Sequence, residues 1–287
     1  MAAGGSASRS VVGVNPSTVL RQWLAVGHWE LPILPETGAA VLEACRDEVS
    51  GARQVARIVE RDPTLAAHVL RAANSAAYSP PEPIVSLTQA IGRMGLATVS
   101  EITVGVVVRG RVFTADRHLE LVADVWPHSA LAAGWARTIS RQRRRNAEGA
   151  FLCGLLHDLG RPVVLRGLID LERSTGQAFD DATIRNVMDE LHPEIGGALV
   201  RRWSLPDWMG DAIDYHHMPE LATAHRDEVM TTALASRLAH WSLERPAEDV
   251  AALRSLPLVG GLGLYPHDLD TLLAARGQVL EGAGLLA

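Results

Sequence analysis

The sequence predicts an all-α fold. Apolar residues recur at three- and four-residue spacings through most of its 287 residues, and the breaks between those stripes fall at proline, asparagine and glycine. The valine run Val106-Val107-Val108 is compatible with a strand, but no partner strands are evident. At 47% apolar the chain can bury a sizeable core, and with aromatics at only 5%, Leu, Val and Ala must fill it.

Residues 1–14 are small and polar and are expected to be a disordered tail. From Pro16, Val19, Leu20, Trp23 and Leu24 share one face of a short helix, which Leu31-Pro32-Ile33-Leu34-Pro35 breaks. Val41, Leu42 and Cys45 form the next stripe. Val55, Ile58 and Val59 form another, ending at Asp62-Pro63. Leu65, Val69, Leu70 and Ala73 follow, closed by Asn74-Ser75. Tyr78-Ser79-Pro80-Pro81-Glu82-Pro83 is a loop. Ser86 with Gln89 has capping-box spacing for a helix to Gly92 or Met94, and Gly95 leads into a helix through Val108. A second half begins near Leu121. Helices are expected over 125–140, 148–159, 181–191, 193–203, 208–217 and 230–243. Gly160 should sit just past the end of the second of these, with Pro162 as its stop. The resulting division is a tail over 1–14, an N-terminal helical part over 15–120, a histidine-bearing bundle over 121–243 and a helical extension over 244–287.

Composition removes several classes of function. The formal charge of −6 gives no basic surface for polyanions, so nucleic acid is not an expected partner. All 27 basic residues are Arg, which excludes Schiff-base lysines and P-loop lysines. No apolar run reaches the ~18 residues of a membrane span, and the N-terminus has no signal-like apolar core, so a cytoplasmic protein without a membrane is expected. Cys45 and Cys153 fit free thiols in apolar surroundings. The Arg141–Arg145 cluster fits a solvated helix end better than a phosphate patch. There is no nucleophile elbow and no glycine-rich phosphate loop.

The chemistry lies in the histidines. Apolar residues run up to His157-Asp158, and burying such a pair costs several kcal/mol unless each group finds a partner or a metal. On one helix the two would project about 100° apart, both within reach of a single ion. His128, His192, His216 and His217 stand on other predicted helices, as in bundles that build a metal cage from facing side chains. His28, His68, His118, His225, His240 and His267 fit structural or surface roles. A hydrogen-bonded structural pair, a bound metal and a catalytic site are all compatible with the doublet alone.

The order and spacing of Asp62-Pro63-Thr64-Leu65, Asn74-Ser75, Gln89-Ala90-Ile91, Trp126-Pro127-His128-Ser129, Gly154-Leu155-Leu156-His157-Asp158-Leu159-Gly160, Trp203-Ser204-Leu205-Pro206 and Tyr215-His216-His217 resemble the HDOD domain. This is the HD-related output domain of bacterial signalling proteins, a branch of the HD superfamily of metal-dependent phosphohydrolases. The resemblance covers roughly residues 18–240. It implies a multi-helix bundle of the HD type with an N-terminal helical subdomain. It also implies an output or adaptor module working by protein or nucleotide binding without turnover, with a signalling protein or a nucleotide second messenger as partner. His128, His157, Asp158, His192, His216 and His217 become candidate ligands for a divalent Fe, Mn, Ni or Zn ion. His192 and the His216-His217 pair resemble extra ligands of the HD-GYP phosphodiesterases, which degrade cyclic di-GMP, so a metal-dependent phosphodiesterase is the competing reading. The Gly-Tyr-Pro signature is absent, and Ser236 falls where HD enzymes carry a late-helix aspartate. Glu194 or Asp214 could substitute by spacing.

Overall fold

Asn15 opens the first helix: its side chain accepts from the Thr18 amide, and Pro16 takes the first helical position, where no N–H is needed. The computed structural model describes residues 15–284 except 30, 33, 48, 76, 77, 79, 81, 113–116 and 245–248. The tail expected over 1–14 therefore lies outside the described residues, as do Ile33, Ser79 and Pro81.

The N-terminal helices are α1 (Pro16–Ala25), α2 (Glu36–Arg46), α3 (Ala52–Val59), α4 (Pro63–Ala73), α5 (Leu87–Met94) and α6 (Leu96–Val112). The bundle follows with α7 (Val125–Gln142), α8 (Ala147–Leu156), α9 (Gly160–Thr175), α10 (Asp181–Arg202), α11 (Asp207–Asp214) and α12 (Arg226–Ser242). The chain then continues through α13 (Val250–Ser255), α14 (Pro257–Gly261), α15 (Pro266–Ala274) and α16 (Arg276–Gly284). No strand occurs among the described residues, and Val106-Val107-Val108 lies within α6.

Three apolar cores organise these helices. Val41, Val55, Leu65, Val69, Ile91 and Val99 close the α2–α6 lobe on itself. Leu155, Leu156, Leu165, Leu191, Leu199 and Ile213 bind α8 to α11, and Leu20 of α1 joins this core rather than that of its sequence neighbours. Arg21 reinforces the attachment by pairing with Glu190 and Glu194 of α10. The third core sets α7 and α12 against the extension. Within it, fully buried Trp135 donates its indole N–H to Ser242 at 2.9 Å, so burial leaves no donor unpaired.

Two expectations are corrected. Residues 181–202 form one helix that runs through Pro193, not two. A proline inside a helix removes one hydrogen bond and crowds the preceding turn. Here the carbonyl it deprives belongs to Asp189, on the exposed side where solvent can serve it, and packing against α9 and α11 carries the helix through. The second correction concerns the doublet. α8 ends at Leu156, and His157, Asp158 and Leu159 form a tight joint with the bonds Leu159 N–H to Leu156 O and Arg161 N–H to Asp158 O. Gly160 is the first residue of α9, not a residue past a helix end. Pro162 is its third, where the amide has no intrahelical partner to lose.

Among the described residues no single helix is long and apolar enough to cross a membrane. The pair α5–α6, which passes on composition, is bent by 110°.

Candidate metal centre

Four helices, α7, α10, α11 and α12, converge on the joint between α8 and α9. His128 comes from the first turn of α7, His157 and Asp158 from the joint itself, and His192 from the middle of α10. His216 and His217 follow the end of α11, and Ser236 comes from α12. All six predicted residues meet here. Ligand atoms of Asp158, His192, His216 and His217 lie within 4.8 Å of one another, as do those of His128, His157 and Asp158. Asp158 belongs to both groups and is the hub.

Close helix contacts bring these groups together. A Cβ on Gly154 would lie 2.5 Å from the Ala132 carbonyl oxygen of α7, and one on Gly160 would lie 2.0 Å from the His192 carbonyl oxygen of α10. Only glycine allows these backbones to touch, and the approach places His157 and His192 on either side of Asp158. The signal for Gly160 was therefore close packing of α9 on α10, which helix-capping rules do not detect.

The tautomers are fixed by backbone carbonyls, which can only accept. His157 donates from Nδ1 to Gly154 O at 2.7 Å, His192 to Met188 O at 2.8 Å and His216 to Ile213 O at 2.7 Å. In its neutral form each of these rings then turns a lone pair on Nε2 toward the interior. Around that interior, His192 Nε2 stands 3.2 Å from Asp158 Oδ1 and 3.0 Å from His217 Nε2. His128 Nε2 stands 3.1 Å from His157 Nε2 and 3.2 Å from Ser236 Oγ. His216 Nε2 is buried without a hydrogen-bond partner. Several lone pairs and a carboxylate facing one another inside a core repel unless a cation lies among them. The committed Nδ1–H groups are the outer contacts that orient metal-binding imidazoles.

The charges agree. Burial pushes the His157 and His216 imidazoles below their ordinary range, so both stay neutral, and it holds His217 down to about 4 although the outer edge of that ring faces solvent. Burial opposes ionisation of Asp158 too, but with the Arg161 guanidinium against it the carboxyl is held well below the usual carboxylate range. Arg161 reaches Asp158 Oδ1 at 3.1 Å and Asp189 at 2.6 Å, so the one carboxylate of the cage is already half neutralised from outside. Mixed imidazole and carboxylate donors suit Fe, Mn, Ni or Zn. Neither proposed substitute for a second carboxylate enters the cage: Glu194 pairs with Arg21 at 2.9 Å, and Asp214 pairs with Arg201 at 2.6 Å.

The sign of the pH dependence follows. The unfolded chain protonates its histidines near pH 6.5, whereas folded His157 and His216 resist protonation. Stability is therefore complete above about pH 6.5 and falls as the pH drops below it, by on the order of 2 kcal/mol per unit from these two groups. Urea unfolding of chelator-treated protein at pH 7 and pH 5 should show this loss, and equal midpoints would contradict it.

A family model for the HDOD domain matches residues 31–219, about two thirds of the chain. The chain belongs to the HDOD domain family. Among solved structures, an HDOD domain protein of unknown function from Geobacter sulfurreducens superposes with a TM-score of 0.71 at 24% identity, covering 95% of this chain and 98% of that one. A proposed metal-dependent phosphohydrolase from Shewanella amazonensis SB2B superposes with a TM-score of 0.72 at 20% identity, covering 93% and 97%. A proposed signal transduction protein from Marinobacter aquaeolei VT8 gives 0.67 at 21% identity over 96% of this chain and 67% of the other. At these identities the likeness is one of fold. An uncharacterized protein of Treponema pallidum (strain Nichols) is 26% identical over an alignment of 216 residues that covers 72% of this chain. The HDOD chain spans 42% of that relative's length.

The structure also brings forward groups that the sequence reading set aside. His240, expected to be structural or at the surface, lies one turn beyond Ser236, and its ring centroid is 4.2 Å from that of His128. Its place four residues after the late-helix position was the available signal. Arg161 and Arg185 line the mouth of the cage together with Asp158 and His217, and the carboxylates Glu120, Asp124 and Asp189 line it with them. The Arg141–Arg145 cluster is partly structural: Arg143 grips Asp227 with two hydrogen bonds of 2.8 and 2.6 Å and donates to the Leu262 carbonyl.

Proposed function

We propose that this HDOD protein is a metal-holding signalling module that works by binding rather than by turnover. The observation that carries the metal is the set of three imidazoles with Nδ1–H committed to carbonyls and Nε2 turned toward Asp158. His128, His157, Asp158, His192, His216 and His217 would hold a divalent ion of the Fe, Mn, Ni or Zn class. Bound there, such an ion supplies positive charge and open coordination positions for an anionic ligand.

Ser236 carries the second half of the reading. Its hydroxyl, 3.2 Å from His128, occupies the position at which a carboxylate would balance the charge of the ion. With Asp158 paired to Arg161, the two groups of ligand atoms offer the ion one carboxylate already shared with a guanidinium, while Glu120, Asp124 and Asp189 stand on the surrounding wall outside those groups. A site of this kind retains an anion well and turns it over poorly. The signal then passes through ligand-dependent contacts with a protein partner. The open mouth lined by Arg161 and Arg185 would also suit a phosphodiesterase, and the test separates the two.

Protein purified without chelator should contain about one equivalent of transition metal by elemental analysis. His157→Ala should lose it. Cyclic dinucleotides and simple phosphodiesters should remain intact with the metal-loaded protein. Hydrolysis that disappears in His157→Ala would replace the binding reading with the phosphodiesterase reading, and metal-free protein that takes up none of these ions would overturn the metal centre.

A further inference from the structure

A second concavity shares a wall with the cage. Its volume is about 480 Å³, and it is continuous with the cage through His216, His217, Ser236 and His240. Its long wall, α12, and the short α14 that faces it lie beyond residue 219, where the HDOD match ends. Arg226, Met230, Ala233, Arg237 and His240 all line it from α12, at spacings of four, three, four and three residues, so they form one stripe along that helix. From residue 226 to residue 240 the stripe is about 20 Å long. Leu256, Pro257 and Leu258 face it, and a Cβ on Gly261 would stand 2.8 Å from Met230 Sδ, so the walls close together at that point.

The lining has a direction. At the cage end stand the imidazoles, the Ser236 hydroxyl and Arg237, donors for an oxyanion that outnumber the single carboxylate of the lining, Glu220; Arg226 marks the far end. Beyond them Met230, Ala233, Leu256, Pro257 and Leu258 present aliphatic surface, with flexible Met230 able to adapt to irregular shapes. Among the described residues the rings on the lining are the imidazoles at the cage end; no Trp, Tyr or Phe lines the aliphatic stretch to stack on a base, and no Asn or Gln lines it to read a base edge. Its volume falls within the range of small-molecule sites.

We propose that this groove binds a single-chain aliphatic amphiphile whose oxyanion head lies at the cage and whose tail runs along α12 toward Arg226. Placing the head at the cage rests on the metal reading above; the aliphatic track does not. Such a molecule joins the cage to α14, so its arrival is sensed by the part of the chain that follows the matched residues 31–219.

Calorimetric titration of the whole chain with ethyl phosphate, n-octyl phosphate and adenosine monophosphate, with metal and with chelator, tests this. Each methylene buried tightens binding about threefold to fourfold, so n-octyl phosphate should bind at least about 100-fold more tightly than ethyl phosphate and should also exceed adenosine monophosphate. Met230→Ser and Leu258→Ser should each reduce that ratio while leaving the affinity for ethyl phosphate unchanged. An octyl chain that gains nothing over ethyl overturns the proposal while leaving the metal centre standing, and leaves the groove to a protein partner. Adenosine monophosphate binding as tightly as n-octyl phosphate overturns it as well. A chain-length gain that persists in chelator supports the groove even where the metal reading fails.

Discussion

Asp158→Ala is expected to abolish metal retention and to lower the stability of the metal-free chain by about 3 kcal/mol, the usual cost of removing one partner from a buried ion pair. Asp158 is the only residue common to both groups of ligand atoms, and its side chain is 10% exposed. Its removal leaves Arg161, itself only 21% exposed, with Asp189 as its remaining carboxylate partner, and takes the carboxylate out of both groups of ligand atoms. In metal-loaded protein the loss should be larger, because an ion that binds only the folded chain adds its own binding free energy to stability. Asp158→Asn separates the two roles. The amide keeps the shape and some of the hydrogen bonds but not the charge, so metal retention should vanish while chelator-treated stability falls by less than in Asp158→Ala. Elemental analysis and urea unfolding with and without chelator measure both. Asp158→Asn protein that retained a full equivalent of metal would remove the carboxylate from the centre.

The helical class was legible because periodic stripes and cap residues are local. Asn15, Asp62, Ser86 and Asn146 all accept from amides at the helix starts they open. The histidines were legible as a set because apolar surroundings make an imidazole costly without a partner, and the structure gathers all six predicted ligands. What sequence could not supply was the contact between helices distant in the chain. α1 packs with α9 and α10, more than a hundred residues away, through Leu20 and Arg21. His240 gained its place beside His128 only when α12 packed on α7. Pro193 shows the same effect in reverse: a local rule ends a helix there, and tertiary packing on two sides continues it. The extension after residue 244 read as a set of short helices, and its role as the far wall of a groove depended on α14 meeting α12.

Gly160→Ala should be among the most damaging single-methyl changes in the protein. A methyl there would overlap the His192 carbonyl oxygen at 2.0 Å, and the obstacle is backbone, which cannot swing aside as a side chain would. α9 and α10 must separate. Their interface includes Leu165, Leu168, Leu191 and Ile195, all buried, so separation opens packing defects on both helices. Overpacking of this kind costs about 3 kcal/mol, which for a chain of this size lowers Tm by roughly 5–10 °C. The displacement also moves His192 away from Asp158 across their 3.2 Å contact, so metal affinity should fall 10- to 100-fold, as when a supporting contact of a ligand is lost. Gly92→Ala is the matched control. Gly92 lies on the exposed face of α5 with open space around its Cβ position, so alanine there should leave metal binding unchanged and stabilise the chain by about 0.5 kcal/mol through helix propensity. If Gly160→Ala melted within 2 °C of the parent and held its metal equally well, the close approach of α9 to α10 would not be what positions the cage.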